Sequence, residues 1–304
     1  MKKLKKHLKY YPLYLMMLPG FIIVLCMRYL PMGGIIIAFK DMNYADGLFG
    51  SPWVGLRNFE FLFKTNDALL ITRNTLLYNL VFIFLGLFLA VAFAIALSEI
   101  RNRFAAKVYQ SLFFFPYFLS MVVVAYMVLA FLGMENGFLN TKMLTALGID
   151  KINFYAEPKY WPLILTFVNT WKYLGYSTVV YLAAILGIAP ELYEAATIDG
   201  ANKWKQIKYI TLPGIKPIMI ILTIMAIGKI FYSDFGLFYN VPMDSGALFP
   251  TTQVIDTFVY RAMMNLGDLG MAAAAGLYQS LVGFILVLTT NWIVKKIDSE
   301  SALF

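Results

Sequence analysis

Six long apolar stretches constrain this chain more than any other feature of its sequence. They cover residues 12–39, 69–98, 110–132, 161–187, 217–235 and 271–294. A helix needs about 20 mostly apolar residues to cross about 30 Å of hydrocarbon, where its backbone groups must find partners within the protein. The whole chain is 61% hydrophobic and 14% charged, unlike a soluble domain. The sequence therefore predicts an all-α integral membrane protein, with six transmembrane helices in a single domain covering residues 1–304.

The distribution of basic residues predicts which side each loop faces. Short cytoplasmic loops carry an excess of lysine and arginine. The first ten residues, MKKLKKHLKY, hold five lysines and no acid. Other basic residues follow spans two, four and six, namely Arg101, Arg103, Lys107, Lys203, Lys205, Lys208, Lys216, Lys295 and Lys296. The opposite loops mix basic with acidic residues, so we expect both termini and the loop at 190–216 to lie in the cytoplasm.

The composition argues against several functions. The net charge of +8 comes from basic residues beside the spans, so it indicates membrane orientation and not nucleic-acid binding. Cys26 is the only cysteine and His7 the only histidine, which leaves no disulfide framework or Cys/His metal site. The sequence contains no GxxxxGK[ST] phosphate-binding loop and no convincing catalytic group. We therefore expect no catalysis, and no metal or cofactor bound by this chain.

The segment YEAATIDGANKWKQIKYITLPG, residues 193–214, is a polar and basic interruption between spans four and five. Pro190 favours the start of a helix, and Gly200 favours its end through a left-handed residue. Asn202 is a good cap for a second helix, which Pro213 is expected to stop. On that helix, Trp204, Ile207 and Ile210 form an apolar strip. The pattern predicts two short helices with a sharp bend.

Two interpretations of this loop are possible from its residues. It can lie on the lipid surface, with its lysines against anionic head groups. However, Glu191, Glu194 and Asp199 place three negative charges in the same patch, which an anionic surface would repel. A protein partner fits the mixed charge better.

The loop also resembles the EAA loop of type I ABC importer permeases. That pattern is Glu-Ala-Ala, three residues, Gly, nine residues, Ile, one residue and Leu-Pro. The matching positions here are Glu194, Ala195, Ala196, Gly200, Ile210, Leu212 and Pro213. In that family the loop forms a coupling helix that docks into a groove of a cytoplasmic ATPase. The resemblance implies the type I ABC importer permease fold, in which closure of the ATPases moves the loop and its spans as a rigid body.

Other segments extend the resemblance over nearly the whole chain. NTWKYLGYSTVVYLAAI, SDFGLFYNVP and VIDTFVYR are similar to carbohydrate permeases of the Lpl-B type, which are associated with polysaccharide-derived oligosaccharides such as aldouronates. This resemblance implies a subunit of the bacterial cell membrane, in contact with lipid. It also implies a second related permease, two copies of an ATPase that binds ATP and Mg²⁺, and an external or periplasmic sugar-binding protein.

Polar residues inside the spans are the candidates for a substrate pathway, because ionisable groups in hydrocarbon are costly and usually functional. Span four contains NTWKYLGY, and the candidates are Asn169, Trp171, Lys172, Tyr173, Tyr176 and, near the end of span five, Asp234. Sugars present hydroxyl groups to polar partners and C–H faces to aromatic rings. The alternative is that these aromatic residues fill helix packing or mark the membrane interface.

Functions of other classes remain as alternatives. Lys172, Lys229 and Asp234 lie in or near spans, as they would in a carrier driven by an ion gradient. A membrane enzyme lacks a catalytic constellation in this sequence. A permease for another solute, such as a peptide or polyamine, is the alternative within the importer class.

Overall fold

A computed structural model of the chain describes residues 10–43, 45–60 and 66–297. The described part is helical, with one isolated antiparallel bridge between Lys40 and Trp53. Within these described residues, four helices are long and apolar enough to cross a membrane, and two bent helix pairs raise the number to as many as six. The predicted all-α membrane fold is confirmed. The lysines of residues 2–9 lie outside the described residues, so the orientation inferred from them stays a prediction.

The main helices, numbered in chain order, are α1 (Tyr11–Val24), α2 (Asn66–Ser98), α3 (Arg103–Phe114), α4 (Met121–Leu132), α5 (Trp161–Leu186), α6 (Pro190–Ile198), α7 (Lys203–Gln206), α8 (Leu212–Ile227), α9 (Phe235–Asn240), α10 (Ile255–Arg261) and α11 (Leu269–Ile297). Other helical segments cover Leu25–Tyr29, Leu30–Phe39, Gly47–Gly50, Arg57–Phe59, Phe115–Phe118, Leu139–Leu144, Phe154–Ala156, Pro158–Tyr160, Ile207–Thr211, Gly246–Leu248, Phe249–Thr252 and Ala262–Leu266. The chain divides into two compact units, one of residues 1–64 with 261–278 and the other of residues 65–260 with 279–304.

The first unit contains span one and the loop that follows it. The span runs through α1, a π-helical turn and a 3₁₀ segment to Phe39, and most of its side chains are exposed. Beyond it, the buried Lys40 donates its Nζ protons to the carbonyls of Leu48 at 2.8 Å and Phe49 at 3.1 Å. Asn58 Nδ2 donates to the Lys40 carbonyl at 2.8 Å. These bonds fold the loop back onto the end of the span.

The second unit is built on the pairing of α2 with α5. One core cluster joins both helices to α8 through Ala90, Val91, Ala94, Leu97, Tyr181, Leu182, Ile185 and Ile215. A second cluster joins α2, α4 and α5 to α9 and its neighbours through Tyr78, Val124, Trp161, Leu165, Val168, Leu237, Phe238 and Val254. The small alanines of α2 allow the first set of helices to approach closely.

Span three is broken, where the sequence predicted one continuous helix over 110–132. Helix α3 starts earlier, at Arg103, and passes into the 3₁₀ turn Phe115–Phe118. The chain then restarts at Met121 with a bend of 99°, and Ser120 Oγ caps the new helix by accepting from the Val123 N–H at 3.3 Å. Pro116 lacks an N–H and disfavours a regular helix at this point. Residues 115–120 are called the span-three corner below.

Span five also differs from the prediction of residues 217–235. Its helix ends at Ile227, and residues 228–234 form a turn before α9. The turn is held by Asn79 of α2, which donates to the carbonyls of Ile230 at 2.9 Å and Tyr232 at 3.0 Å. Gln279 of α11 donates to the Phe231 carbonyl at 2.6 Å. Apolar residues continue through this turn, so hydropathy alone placed the end of the span too late.

The contact between α5 and the end of α3 depends on Gly175. A Cβ atom at this position would lie 2.0 Å from the carbonyl oxygen of Phe113, which separates the two backbones. Gly175→Ala is therefore expected to cost at least the roughly 1–3 kcal/mol of an overpacked core. The measurement is the melting temperature of the detergent-solubilised permease.

Gly86→Ala in α2 is the matched control, because no atom lies within 4 Å of its added Cβ. Alanine in a helix interior favours the helix by about 1 kcal/mol over glycine, so this variant should melt at the same or a slightly higher temperature. Equal melting temperatures for the two variants would contradict the close approach.

Candidate functional site

The loop between spans four and five forms a compact helical hairpin, residues 190–211, called the loop hairpin below. Pro190 lies in the first turn of α6, and Gly200 takes the left-handed φ of +74° after its end. The N–H of Ala201 bonds to the Ala196 carbonyl at 2.8 Å and closes the helix end. Asn202 Oδ1 accepts from the Lys205 N–H at 2.9 Å and caps α7. The structure confirms the predicted bend, the end of α6 at Gly200 and the Asn202 cap of α7.

The predicted stop at Pro213 is wrong. The chain stays helical from Lys203 to Ile227, with a π-helical turn at Ile207–Thr211 directly before Pro213. The N–H of Leu212 bonds to the Ile207 carbonyl in the wider π pattern. A wider turn accommodates a residue that has no N–H and whose ring clashes with the preceding turn of an α-helix. The second arm of the hairpin is therefore continuous with span five.

Two polar contacts hold the arms of the hairpin together. Gln206 is buried, and its Nε2 donates to Thr197 Oγ1 at 2.9 Å. Tyr193 and Thr211 join their hydroxyl groups at 3.0 Å. All four residues were missed from the sequence, because each contact depends on how the arms fold across the Gly200 bend. The sequence signal that was available is the presence of polar side chains on both sides of that glycine.

The outer face of the hairpin exposes large apolar side chains. Ile198 is 86% exposed and Trp204 is 79% exposed, although both are apolar. Of the predicted coupling residues, Glu194, Ala195, Gly200 and Pro213 are exposed, and Ala196, Ile210 and Leu212 are half-buried. Leu212 packs against the core cluster of α2, α5 and α8. The predicted strip is thus divided, since Trp204 points outward and Ile207 and Ile210 are half-buried.

The start of the second arm of the hairpin contacts the end of span two. Lys203 Nζ lies 2.7 Å from Glu99 Oε2. Beside this ion pair is an open cleft of about 400 Å³, whose lining includes Arg101, Pro190 and Tyr193. An exposed ion pair contributes only about 0–1 kcal/mol, so its position matters more than its energy. It links the hairpin to a helix other than the two that carry it.

The span-four candidates surround the span-three corner. Lys172 is only 5% exposed, and its Nζ donates to the carbonyls of Pro116 at 3.4 Å, Tyr117 at 3.3 Å and, more closely, Leu119. The carbonyls of Tyr117 and Leu119 lie where the helix of span three ends and would otherwise lack partners in hydrocarbon, whereas the Pro116 carbonyl also accepts from the Leu119 N–H at 3.2 Å. Lys172 thus has a structural contact, and its role as a substrate contact stays a prediction that this geometry does not support.

Aromatic rings form a surface on the same corner. Phe114, Tyr117, Tyr173 and Tyr176 are called the aromatic platform below. Tyr117 and Tyr176 stack with centroids 4.9 Å apart and an interplanar angle of 15°, and Phe114 stacks on Tyr117 at 5.6 Å. Tyr117 and Tyr176 are both exposed.

Asp234 completes the platform with a carboxylate. Its Oδ2 accepts from the Tyr173 hydroxyl at 2.5 Å, and its Oδ1 caps α9 by accepting from the Leu237 N–H at 3.1 Å. The structure therefore brings Lys172, Tyr173, Tyr176 and Asp234 together. Trp171 instead packs on the core cluster of α2, α4 and α5, and Asn169 is half-buried. Tyr117 and Phe114 were missed, although the run FFFPYF marks them.

The fold and the exposed hairpin define a helical permease subunit of the ABC importer kind. Residues 82–299 match the family of binding-protein-dependent transport system inner membrane components. The chain belongs to this family. It is 35% identical over 288 residues to the polygalacturonan/rhamnogalacturonan transport system permease protein YteP of Bacillus subtilis (strain 168), covering 95% of this chain and 89% of that protein.

Two further similarities extend over the same length. Protein LplB of Bacillus subtilis (strain 168) is 32% identical over 288 residues, which cover 95% of this chain and 90% of that protein. A chain in the crystal structure of a bacterial ABC transporter involved in the import of the acidic polysaccharide alginate superposes with a TM-score of 0.88 at 31% identity. The match covers 98% of this chain and 100% of that chain.

Family membership establishes the class of function. The chain is a multi-pass permease subunit of the bacterial cell membrane and is not an enzyme, since ATP hydrolysis belongs to separate ATPase subunits. The family is named for transport that depends on a binding protein, and the similar bacterial alginate ABC transporter has a crystal structure in complex with an alginate pentasaccharide-bound periplasmic protein. Membership of this family overturns the alternatives of an ion-coupled carrier and a membrane enzyme.

The bend of the loop hairpin makes a direct test of its construction. Gly200 has a left-handed φ with no atom near its missing Cβ, so Gly200→Ala adds only the roughly 1–2 kcal/mol of backbone strain of a left-handed residue. Local opening of the hairpin should become about 5- to 30-fold more frequent. Amide hydrogen exchange of α6 and α7 measures this change.

Gly187→Ala is the control, because Gly187 has a φ of −82° and its added Cβ stays 3.4 Å or more from its neighbours. Unchanged exchange of α6 and α7 in the Gly200→Ala protein would show that the hairpin does not need this bend.

Proposed function

We propose that this chain forms one half of the translocation path of an ATP-driven importer of oligosaccharides derived from polysaccharides. The single observation that carries the proposal is its full-length similarity to a permease of polygalacturonan and rhamnogalacturonan and to a chain of an alginate importer. The aromatic platform supports it, because stacked rings beside a carboxylate suit the C–H faces and hydroxyl groups of sugars.

The loop hairpin is the proposed docking element for the ATPase. Glu194, Ala195, Ala196, Gly200, Ile210, Leu212 and Pro213 keep the spacing of the coupling loop. The exposed Ile198 and Trp204 offer an apolar contact on its outer face, and a partner groove would remove both from water. The hairpin and both termini then face the cytoplasm. ATP and Mg²⁺ are bound by the ATPase subunits, and this chain binds no cofactor.

The continuous helix from Lys203 to Ile227 supports a mechanical role for the hairpin. When the ATPases close on ATP, a push on the hairpin is transmitted into span five, because the helical backbone is not interrupted at Pro213. The ion pair of Lys203 with Glu99 engages span two in the same movement. Rigid-body motion of packed helices is the ordinary form of such a transition.

The proposed sugar-contacting surface consists of Tyr117, Tyr173, Tyr176 and Asp234. Each carboxylate oxygen of Asp234 has one partner in the chain and retains acceptor capacity for a sugar hydroxyl. Asn169 and Trp171 are not part of this proposed surface, because Asn169 is half-buried and Trp171 packs on the core cluster of α2, α4 and α5.

Docking through the hairpin is tested by Ile198→Asp. A charge at an exposed position leaves the permease folded but blocks burial in an apolar groove. If Ile198 anchors the contact, retention of the ATPase should weaken by roughly 30-fold, as for an interface hot spot. The measurement is co-purification of the ATPase from native membranes, with the permease melting temperature as a check on folding.

Ile198→Val serves as the control because it keeps an apolar side chain of similar shape, and it should retain the ATPase. If the aspartate variant retained the ATPase fully, Ile198 would not lie in the interface. That result would also count against this face of the hairpin as the docking surface.

Sugar contact at the platform is tested by Tyr176→Ala. Loss of a ring that stacks on the sugar should raise the KM of oligosaccharide uptake by roughly 2- to 10-fold, the equivalent of a stacking contact. Uptake into proteoliposomes containing the complete importer measures KM, and ATPase retention should not change. Tyr176→Phe keeps the ring and should stay near the wild-type KM. An unaltered KM in the alanine variant would exclude Tyr176 from the pathway.

A further inference from the structure

Lys172 stands out because it is a buried lysine in the interior of a membrane span. Burial of a charge costs a large free energy unless the charge is well paired. The pairing here is with backbone, since Nζ donates to the carbonyls of Pro116, Tyr117 and Leu119. An ammonium group has three N–H donors. All three are used inside the protein, so none remains for a sugar.

The span-three corner needs such a partner. A helix that stops in hydrocarbon leaves carbonyl groups without hydrogen bonds, and no water is available to satisfy them. Lys172 and Gly175 lie three residues apart on one face of α5. Gly175 allows the α3 backbone to approach, since a Cβ there would meet Phe113. This face of α5 therefore gives the α3 backbone room to approach at Gly175, and it provides the Lys172 ammonium group that holds the corner in place.

Span three in turn carries half of the aromatic platform. Phe114 and Tyr117 belong to span three, and Tyr173 and Tyr176 belong to α5. The stacking of Tyr117 on Tyr176 joins the two halves. Nζ of Lys172 lies 5.7 Å from the centroid of the Tyr173 ring, directly behind the platform. Any shift of the corner relative to α5 separates the stacked rings.

We propose that Lys172 is a positioning residue for sugar recognition: its ammonium holds the span-three corner against α5 and so keeps the aromatic platform assembled. It does not itself recognise the carboxylates of acidic sugars. The role in recognition rests on the proposed function, since it requires the platform to contact the sugar. The structural part, that Lys172 holds the corner, does not.

The structural part is tested by cross-linking. Tyr117→Cys and Tyr176→Cys are introduced with Cys26→Ser, which removes the only native cysteine, and a short bis-maleimide is applied to native membranes. The pair should cross-link efficiently with Lys172 present. Lys172→Met should lower the yield by about tenfold, because it removes charged hydrogen bonds to three carbonyls. Lys172→Arg retains charged donors and should recover part of the yield.

The recognition part uses the complete importer in proteoliposomes, without the cysteine pair. Uptake of a galacturonate trimer and a galactose trimer is compared in wild type and in the Lys172→Met, Lys172→Gln and Lys172→Arg variants. A positioning role predicts that KM rises by the same factor for both sugars, about tenfold for methionine and less for arginine. Lys172→Gln retains two N–H donors and gives a graded result if the methionine variant does not fold.

The outcomes separate the possibilities. A selective loss of galacturonate uptake would show that Lys172 recognises acidic charge and would overturn the proposal. Equal cross-linking in all variants would also overturn it, as would a reference protein that fails to cross-link. If the wild-type importer transports neither sugar while the cross-link depends on Lys172, the proposed substrate class fails and the role of Lys172 in the corner stands.

Discussion

The structure depends on one constraint, that every backbone group inside hydrocarbon needs a partner within the protein. Continuous helices meet this requirement by themselves, but the span-three corner and the turn at 228–234 do not. Each of these receives polar side chains from a different helix. Lys172 donates hydrogen bonds to the carbonyls of the corner. Asn79 and Gln279 donate to the carbonyls of the turn. Lys172, Asn79 and Gln279 are thus polar side chains that lie where the spans of the second unit are irregular.

The elements that were predicted well from the sequence are those whose causes are local. The apolar runs give the spans, and Pro190, Gly200 and Asn202 act within a few residues of their own positions to start, end and cap the hairpin helices. The two errors in span geometry involve distant contacts in addition to the local effect of Pro116. Lys172 lies 56 residues from Pro116, and Asn79 lies 151 residues from Ile230. Neither contact can therefore be inferred from hydropathy along the chain.

The candidate site was predicted with the same limits. The sequence grouped Tyr173, Tyr176 and Asp234 as candidates, because ionisable groups in spans are costly and aromatic rings suit sugars. The structure places these three residues together. The sequence also assigned Lys172 to the sugar, since a charge beside tyrosines resembles a binding site. Only the three-dimensional contacts show that the ammonium faces backbone carbonyls. For the same reason Tyr117, which belongs to another span, could not be added to the group from sequence spacing.

The hairpin and the platform are joined by a continuous path. The helix from Lys203 to Ile227 has 25 residues, or about 37 Å at 1.5 Å per residue, so a displacement at the hairpin is carried across most of a membrane without a joint. It arrives at the turn of residues 228–234, which is fixed to α2 and α11. Asp234 ends that turn and accepts the hydroxyl of Tyr173. In the proposed function, a movement of span five reaches the carboxylate that completes the platform, and this gives the ATPase a physical route to the affinity of the proposed site for sugar.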